Sequence, residues 1–232
     1  MKKPSENGFK NKIYSFIPCK ISNKTVLSTY EYMRKIQKIV HGNYKDNYEY
    51  NKTNYKKHHA KIKASYGFIE IQRDLFDLKY GSTTVAYAGC EVIAVYNAIV
   101  AMETKPQITF TELIRAFEKD GMVFGGRFGT SPRALRDYLN KAGYETTFSD
   151  DVLNFDRIAT DSKCSILTIY NDGKDIRKMI HTITLSKQDN KYVAHNVYCN
   201  GKPLGPYKSV SEFINSVNNK RAKGIYIIGI NK

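Results

Sequence analysis

The sequence predicts an α+β protein on three observations. Within Val85 to Met102 an unbroken apolar run starts at Cys90 and reads as a buried helix, and two shorter helices with clear end signals follow it. Beyond residue 160 the texture changes to short alternating or continuous apolar runs, the mark of strands. Helices first and antiparallel strands after imply helices packed against one side of an antiparallel sheet.

Residues 25–42, "TVLSTYEYMRKIQKIVHG", place Tyr30, Met33, Ile36, Ile39 and Val40 on one helical face. The stretch after it, "NYKDNYEYNKTNYKKHHAKIK", is Lys, Asn and Tyr with hardly an aliphatic residue. It reads as a solvated linker or arm, with His58 and His59 on its surface, or as basic residues interleaved with rings that stack on bases. From Gly67 the periodic segments begin, which divides the chain into a basic N-terminal extension with one helix, residues 1–66, and a folded domain over 67–232.

In the helix after Cys90, Val92, Ile93, Tyr96, Ile99 and Val100 form one face and alanines and Val95 fill the other, so it is apolar nearly all round and buried. In "ITFTELIRAFEKDG" Thr109 and Glu112 form a capping box and Gly121 is the stop. In "GTSPRALRDYLNKAGYET" Ser131 caps, Pro132 takes the first position and Gly143 ends the helix. The strands are "CSILTIY", "HTITLS", "KYVAHNVY" and "KGIYIIGI", with a helix "SVSEFINSV" before the last.

The formal charge of +15 lies mostly in the N-terminal third: residues 1–66 hold 15 Lys/Arg against 4 Asp/Glu. An acidic partner or a nucleic acid bound through the extension follows as an expectation. No run of eighteen apolar residues and no secretory signal is present, so the expected location is the cytoplasm, with signal-independent export or effector delivery left open. Cys19, Cys90, Cys164 and Cys199 form no CxxC pair, so no metal, no disulfide framework and no cofactor is expected. The glycines of "GMVFGGRFGTSP" lack the Lys-Ser/Thr ending of a phosphate loop.

Cys90 follows a glycine at the start of the buried helix, where the macrodipole and unpaired N–H groups favour thiolate. A nucleophile also needs a base and a group to orient it. If Asp189-Asn190 is the turn of a hairpin, paired residue numbers sum to 379 and His181 faces Tyr198. Asn196 then shares a face with His181, and His195 points the other way. A one-residue bulge would put His195 there instead. Two readings stand together: His181 and Asn196 as base and orienter, or as a strand-end surface residue and a hydrogen-bonded core amide. Cys19, Cys164 and Cys199 read as structural.

The order of a Cys at a buried helix start, a His opening a strand and an Asn in the next strand looks like papain-like cysteine peptidases. The segments "GCEVIAVYNAI", "GTSPRALRDYLNKAGY" and "HTITL…KYVAHNVY" resemble the C39-like branch of that group, over about residues 80–200. The resemblance implies a papain-like fold for residues 67–232 and a Cys90, His181, Asn196 triad that hydrolyses a peptide or amide bond through a thioester, or transfers the acyl group to another amine, with a peptide or protein as substrate. One departure stands out: such enzymes usually carry a Gln about six residues before the nucleophile as an oxyanion donor, and here that position is Thr84. Loss of one such donor costs about two to three orders of magnitude in rate. That departure supports an alternative, a papain-like binding module without catalysis; a basic protein that binds nucleic acid or another anionic surface through the extension is a third reading.

Overall fold

The computed structural model describes residues 22–39, 44–103, 106–173, 179–197 and 201–232. Cys19, His41, Tyr198 and Cys199 lie outside them, as does most of the region before the first helix. The described chain is α+β, with helices packed on an antiparallel sheet. In chain order the elements are α1 (Asn23–Ile39), α2 (Lys45–Tyr55), α3 (His59–Ala64), β1 (Lys79–Tyr80), β2 (Thr83–Thr84), α4 (Val85–Ala88), α5 (Cys90–Met102), α6 (Phe110–Lys119) and α7 (Pro132–Lys141). They continue with β3 (Glu145–Ser149), α8 (Phe155–Thr160), β4 (Cys164–Tyr170), β5 (Ile180–Gln188), β6 (Lys191–His195), β7 (Leu204–Tyr207), α9 (Val210–Ser216) and β8 (Lys223–Asn231).

Six strands form one sheet in the order β3-β8-β4-β5-β6-β7, each neighbouring pair antiparallel. Both faces of the sheet are covered, not one. One face carries Ile166, Tyr226, Ile228 and Ile230 against Val92, Ile93, Leu113 and Leu135 of the larger helices. The other carries Leu167, Ile169, Ile183, Leu185 and Ile227 against Phe155 and Ile158 of α8 and Phe213 of α9. This explains why β4 and β8 are apolar without alternation: each is buried on both sides.

The end signals act as their residues imply. Thr109 Oγ1 accepts from the Glu112 N–H while the Glu112 carboxylate accepts from the Thr109 N–H, closing the box. Pro132 occupies the first turn of α7, but the Ser131 hydroxyl does not cap it; it donates to Glu31 of α1, 3.1 Å away.

The residues before Gly67 share the core of the domain. Leu27 and Tyr55 sit in the cluster that holds α5, and both are buried. The Lys/Asn/Tyr stretch is a helix, not a solvated arm, and its buried residues are Asn47, Asn51 and Tyr55, one turn apart. Asn51 grips Lys79 twice, accepting from its N–H at 2.8 Å and donating to its carbonyl at 2.9 Å. Asn47 donates to the Gly81 carbonyl and to Glu118. The periodicity was hidden because two of the three buried positions are amides, which an apolar count passes over. Lys45, Lys52, Lys56, Lys57, Lys61 and Lys63 remain exposed on the other side.

Candidate active site

Cys90 is the first residue of α5, with Gly89 before it. A side chain at 89 would place its Cβ 2.6 Å from Val85 Cγ1 and 2.8 Å from the Val85 carbonyl oxygen, so only glycine lets α4 turn directly into α5. The sulfur lies against the Glu91 carboxyl and the backbone N–H groups of Glu91 and Thr182. Burial, and then the charge of Glu91, push the thiol well above its usual range, while those N–H groups pull the other way and lose. The helix terminus therefore does not by itself give a thiolate: desolvation outweighs the dipole.

Glu91 is itself buried, and its carboxyl is raised to about 7, by burial first. Its own N–H, the Cys90 thiol, the Thr130 N–H and the Thr182 hydroxyl partly offset that rise. Tyr80, hydrogen-bonded to Thr130 at 2.5 Å, completes a polar pocket at the head of the helix.

The β5–β6 hairpin has the anticipated register. Thr184 pairs with His195, and every pair down to Gln188 and Lys191 sums to 379. Asp189 and Asn190 both take positive φ, 48° and 62°, as a two-residue turn of this hand requires. The strand then stops at His195, because Asn196 turns left-handed at φ 59°.

His181 Nε2 lies 2.6 Å from the backbone oxygen of Asn196. A carbonyl only accepts, so Nε2 carries the proton and Nδ1 keeps its lone pair. Burial lowers the His181 pKa, and the Asn196 carbonyl partly opposes this. Asn196 thus holds the ring through its main chain; its side-chain oxygen instead accepts the Gln72 N–H at 3.1 Å, and its Nδ2 is buried without a partner. Among the described residues no hydrogen bond joins His181 to Cys90. Alternation along β5 sends Thr182 and Thr184 toward α5, where Thr184 Oγ1 donates to the Ala94 carbonyl, while Ile183 and Leu185 pack on the opposite face. His181 leaves the strand on that opposite side, and its ring meets Asn196 where β6 has ended.

Because the carbonyl orients His181, Asn196→Ala should leave its tautomer unchanged while costing about 1–2 kcal/mol from the lost Gln72 bond and the left-handed backbone. Ring nitrogen shifts by NMR and a denaturant midpoint check both; a switch to the Nδ1–H tautomer would show that the side chain does the orienting.

The α5 side of the hairpin carries a constellation that sequence reasoning missed. His195 Nδ1 lies 2.6 Å from Glu70 Oε1, and its Nε2 lies 2.8 Å from Ser186 Oγ, with Phe68 stacked on the ring at 3.9 Å. Glu70 Oε2 also accepts the Asn196 N–H at 2.9 Å. The neighbouring Ile69 is clamped by Asn97 of α5, which accepts from its N–H and donates to its carbonyl. Residues 69–72 are therefore strung between α5 and the end of β6. Gln72, next in line, donates through Nε2 to the carbonyls of Val85 at 3.1 Å and Ala86 at 3.3 Å, so a glutamine amide does reach the segment leading into Cys90. No signal in the sequence marked it, since it stands eighteen residues before the cysteine.

Beside α4 lies an open cleft of about 640 Å³ between Tyr50, Phe76 and Tyr87, three exposed rings. Cys164 is buried in β4, donates to the Leu185 carbonyl at 3.4 Å, and is pushed up to about 12 by burial. Among the described residues no three His, Cys, Asp or Glu side chains converge as a metal set, and no helix is long and apolar enough to cross a membrane. No family model, no curated protein and no solved structure matches this chain.

Proposed function

We propose that the chain is a cysteine-dependent enzyme acting on peptide or amide bonds, with Cys90 as nucleophile. The observation that carries this reading is the head of α5: a thiol held among a buried carboxyl, two hydroxyls and backbone N–H groups. Packing alone would not require that polar investment. His181, neutral and with Nδ1 free to accept a proton, serves as a general base, held by the Asn196 carbonyl. The aromatic cleft beside α4 receives the substrate chain. Hydrolysis then follows the thioester route that the papain-like resemblance implies, with no cofactor.

A second reading, a papain-like module without catalysis, is favoured by one observation: the thiol and imidazole share no hydrogen bond. Alkylation rates separate the two. With iodoacetamide at pH 7.5, read by peptide mass, Cys90 should react more than about tenfold faster than Cys164: burial raises both thiols, but only Cys90 has a carboxyl and a pair of backbone N–H groups against its sulfur. Equal, slow labelling of both would sink the enzyme reading and leave the binding module.

A further inference from the structure

The acid beside the nucleophile is unusual in its placing. Glu91 is the second residue of α5, is 1% exposed, and keeps its side chain at the head of its own helix. Its carboxyl rests against Gly129, where a Cβ would stand 2.9 Å from Oε2; with φ +71°, that position is held by the one residue that leaves room for the carboxyl. Oε2 has no hydrogen-bond partner. A buried carboxylate oxygen left without a donor is costly, and structural carboxylates normally have every oxygen satisfied. That oxygen faces Gly129, and the Cys90 S–H lies against the same carboxyl beside the Thr130 N–H and the Thr182 hydroxyl.

We propose that Glu91 is the catalytic base that takes the Cys90 proton in the acylation half of the reaction, in place of an imidazole. The proposal rests on Cys90 being the nucleophile. As the sulfur electron pair bonds to the substrate carbonyl carbon, the thiol proton passes to a Glu91 oxygen and the carbonyl π pair moves to its oxygen. Collapse of that adduct breaks the carbon–nitrogen bond, and the leaving amine takes the proton back from Glu91. Water then attacks the thioester, giving its proton to the Glu91 carboxylate, which returns it to the departing sulfur. The N–H groups of Glu91 and Thr182 stabilise the sulfur while it is anionic.

Only the carboxylate form accepts a proton. With the carboxyl at about 7, activation rises as pH increases through neutrality and is lost below it. The ionisable groups that face Glu91 are Cys90 from its own helix and the Tyr80 hydroxyl from β1; Thr182 from β5 and Thr130 from the 121–131 loop contribute neutral donors.

The test is the iodoacetamide rate at Cys90 from pH 5.5 to 9.5 in the wild type, Glu91→Gln and His181→Ala, with Cys164 as internal reference. The wild type should show an inflection near neutrality. Glu91→Gln, close in shape, should abolish it and slow Cys90 more than about tenfold at pH 7.5, while His181→Ala changes the rate by less than about threefold. A Glu91→Gln protein that reacts faster overturns the proposal, because the carboxylate would then only repress the thiolate by its charge. Loss of reactivity in His181→Ala alone also overturns it, assigns the proton to the imidazole and leaves Cys90 a nucleophile. A wild-type Cys90 as slow as Cys164 removes both readings. Glu91→Asp, read by the same profile, guards against a folding effect: a shortened acid should restore part of the inflection, and a flat profile in a folded protein counts against the base.

Discussion

Glu70→Ala should unfold the protein about 3–5 kcal/mol more easily than the wild type, the expected cost of breaking a buried polar pair from one side. The acid is 5% exposed and both its oxygens are used, Oε1 by His195 Nδ1 and Oε2 by the Asn196 N–H. Removing it leaves two buried donors unpaired, each worth about 1–3 kcal/mol. Glu70→Gln keeps one acceptor and should lose roughly half as much. Denaturant midpoints at a constant slope measure both. The loss should also spread to the site: without Glu70 the Asn196 backbone is released, and with it the carbonyl that sets the His181 tautomer and the oxygen that holds Gln72. A change below about 1 kcal/mol would mean that the chain Glu70–His195–Ser186 is not what fixes the end of β6.

How much of this was legible in the sequence depends on the kind of residue that carries each contact. Apolar period and end signals located α5, α6, α7 and the strands β4, β5, β6 and β8, because each buries a stripe or a face that sequence spacing records. The turn at Asp189-Asn190 set the hairpin register, since two consecutive positive φ values suit Asp and Asn. Less legible were the elements that work through polar side chains. Asn51 on Lys79, Asn97 on Ile69 and Glu70 on His195 pair with backbone or side chains 28 to 125 positions away, and no local pattern announces such partners. The same holds for the second helical layer over Ile183 and Leu185, formed by α8 and α9, of which the first is only six residues long. At the candidate site, spacing put the His181 and Asn196 side chains on one strand face, whereas β6 ends at His195 and only the Asn196 main chain meets the ring. It did not say that the contact runs through the Asn196 carbonyl, because that follows from the left-handed turn ending β6. Nor did it say which side of the sheet α5 covers, which is a matter of packing.

Arg34→Ala should be the other large loss, about 2–4 kcal/mol, and its reason bears on what the basic N-terminal third does. Arg34 of α1 is 4% exposed and meets three carboxylates: Asp120 at the end of α6 through Nη2 at 2.8 Å, Asp137 of α7 through Nη1 at 2.8 Å, and Glu31 at 3.2 Å. Burial alone would lower its pKa, yet Asp137, Asp120 and Glu31 together raise it, so the guanidinium stays charged. The carboxylates are partly exposed, which softens the loss below that of a fully buried pair. Arg34→Lys should recover less than half, because one ammonium cannot reach Asp120 and Asp137 along two directions at once. Thermal midpoints of the three proteins decide this; equal midpoints would mean that α1 is tethered by Leu27 and its neighbours alone. Either way, removing residues 1–66 would strip Leu27 and Tyr55 from the core and would confound any test of anion binding with unfolding. Charge reversal at the exposed lysines of α2, α3 and the turn between them, Lys52, Lys56, Lys57 and Lys63, keeps the core intact. Salt-dependent binding of a polynucleotide that those changes weaken would be a property of the folded surface.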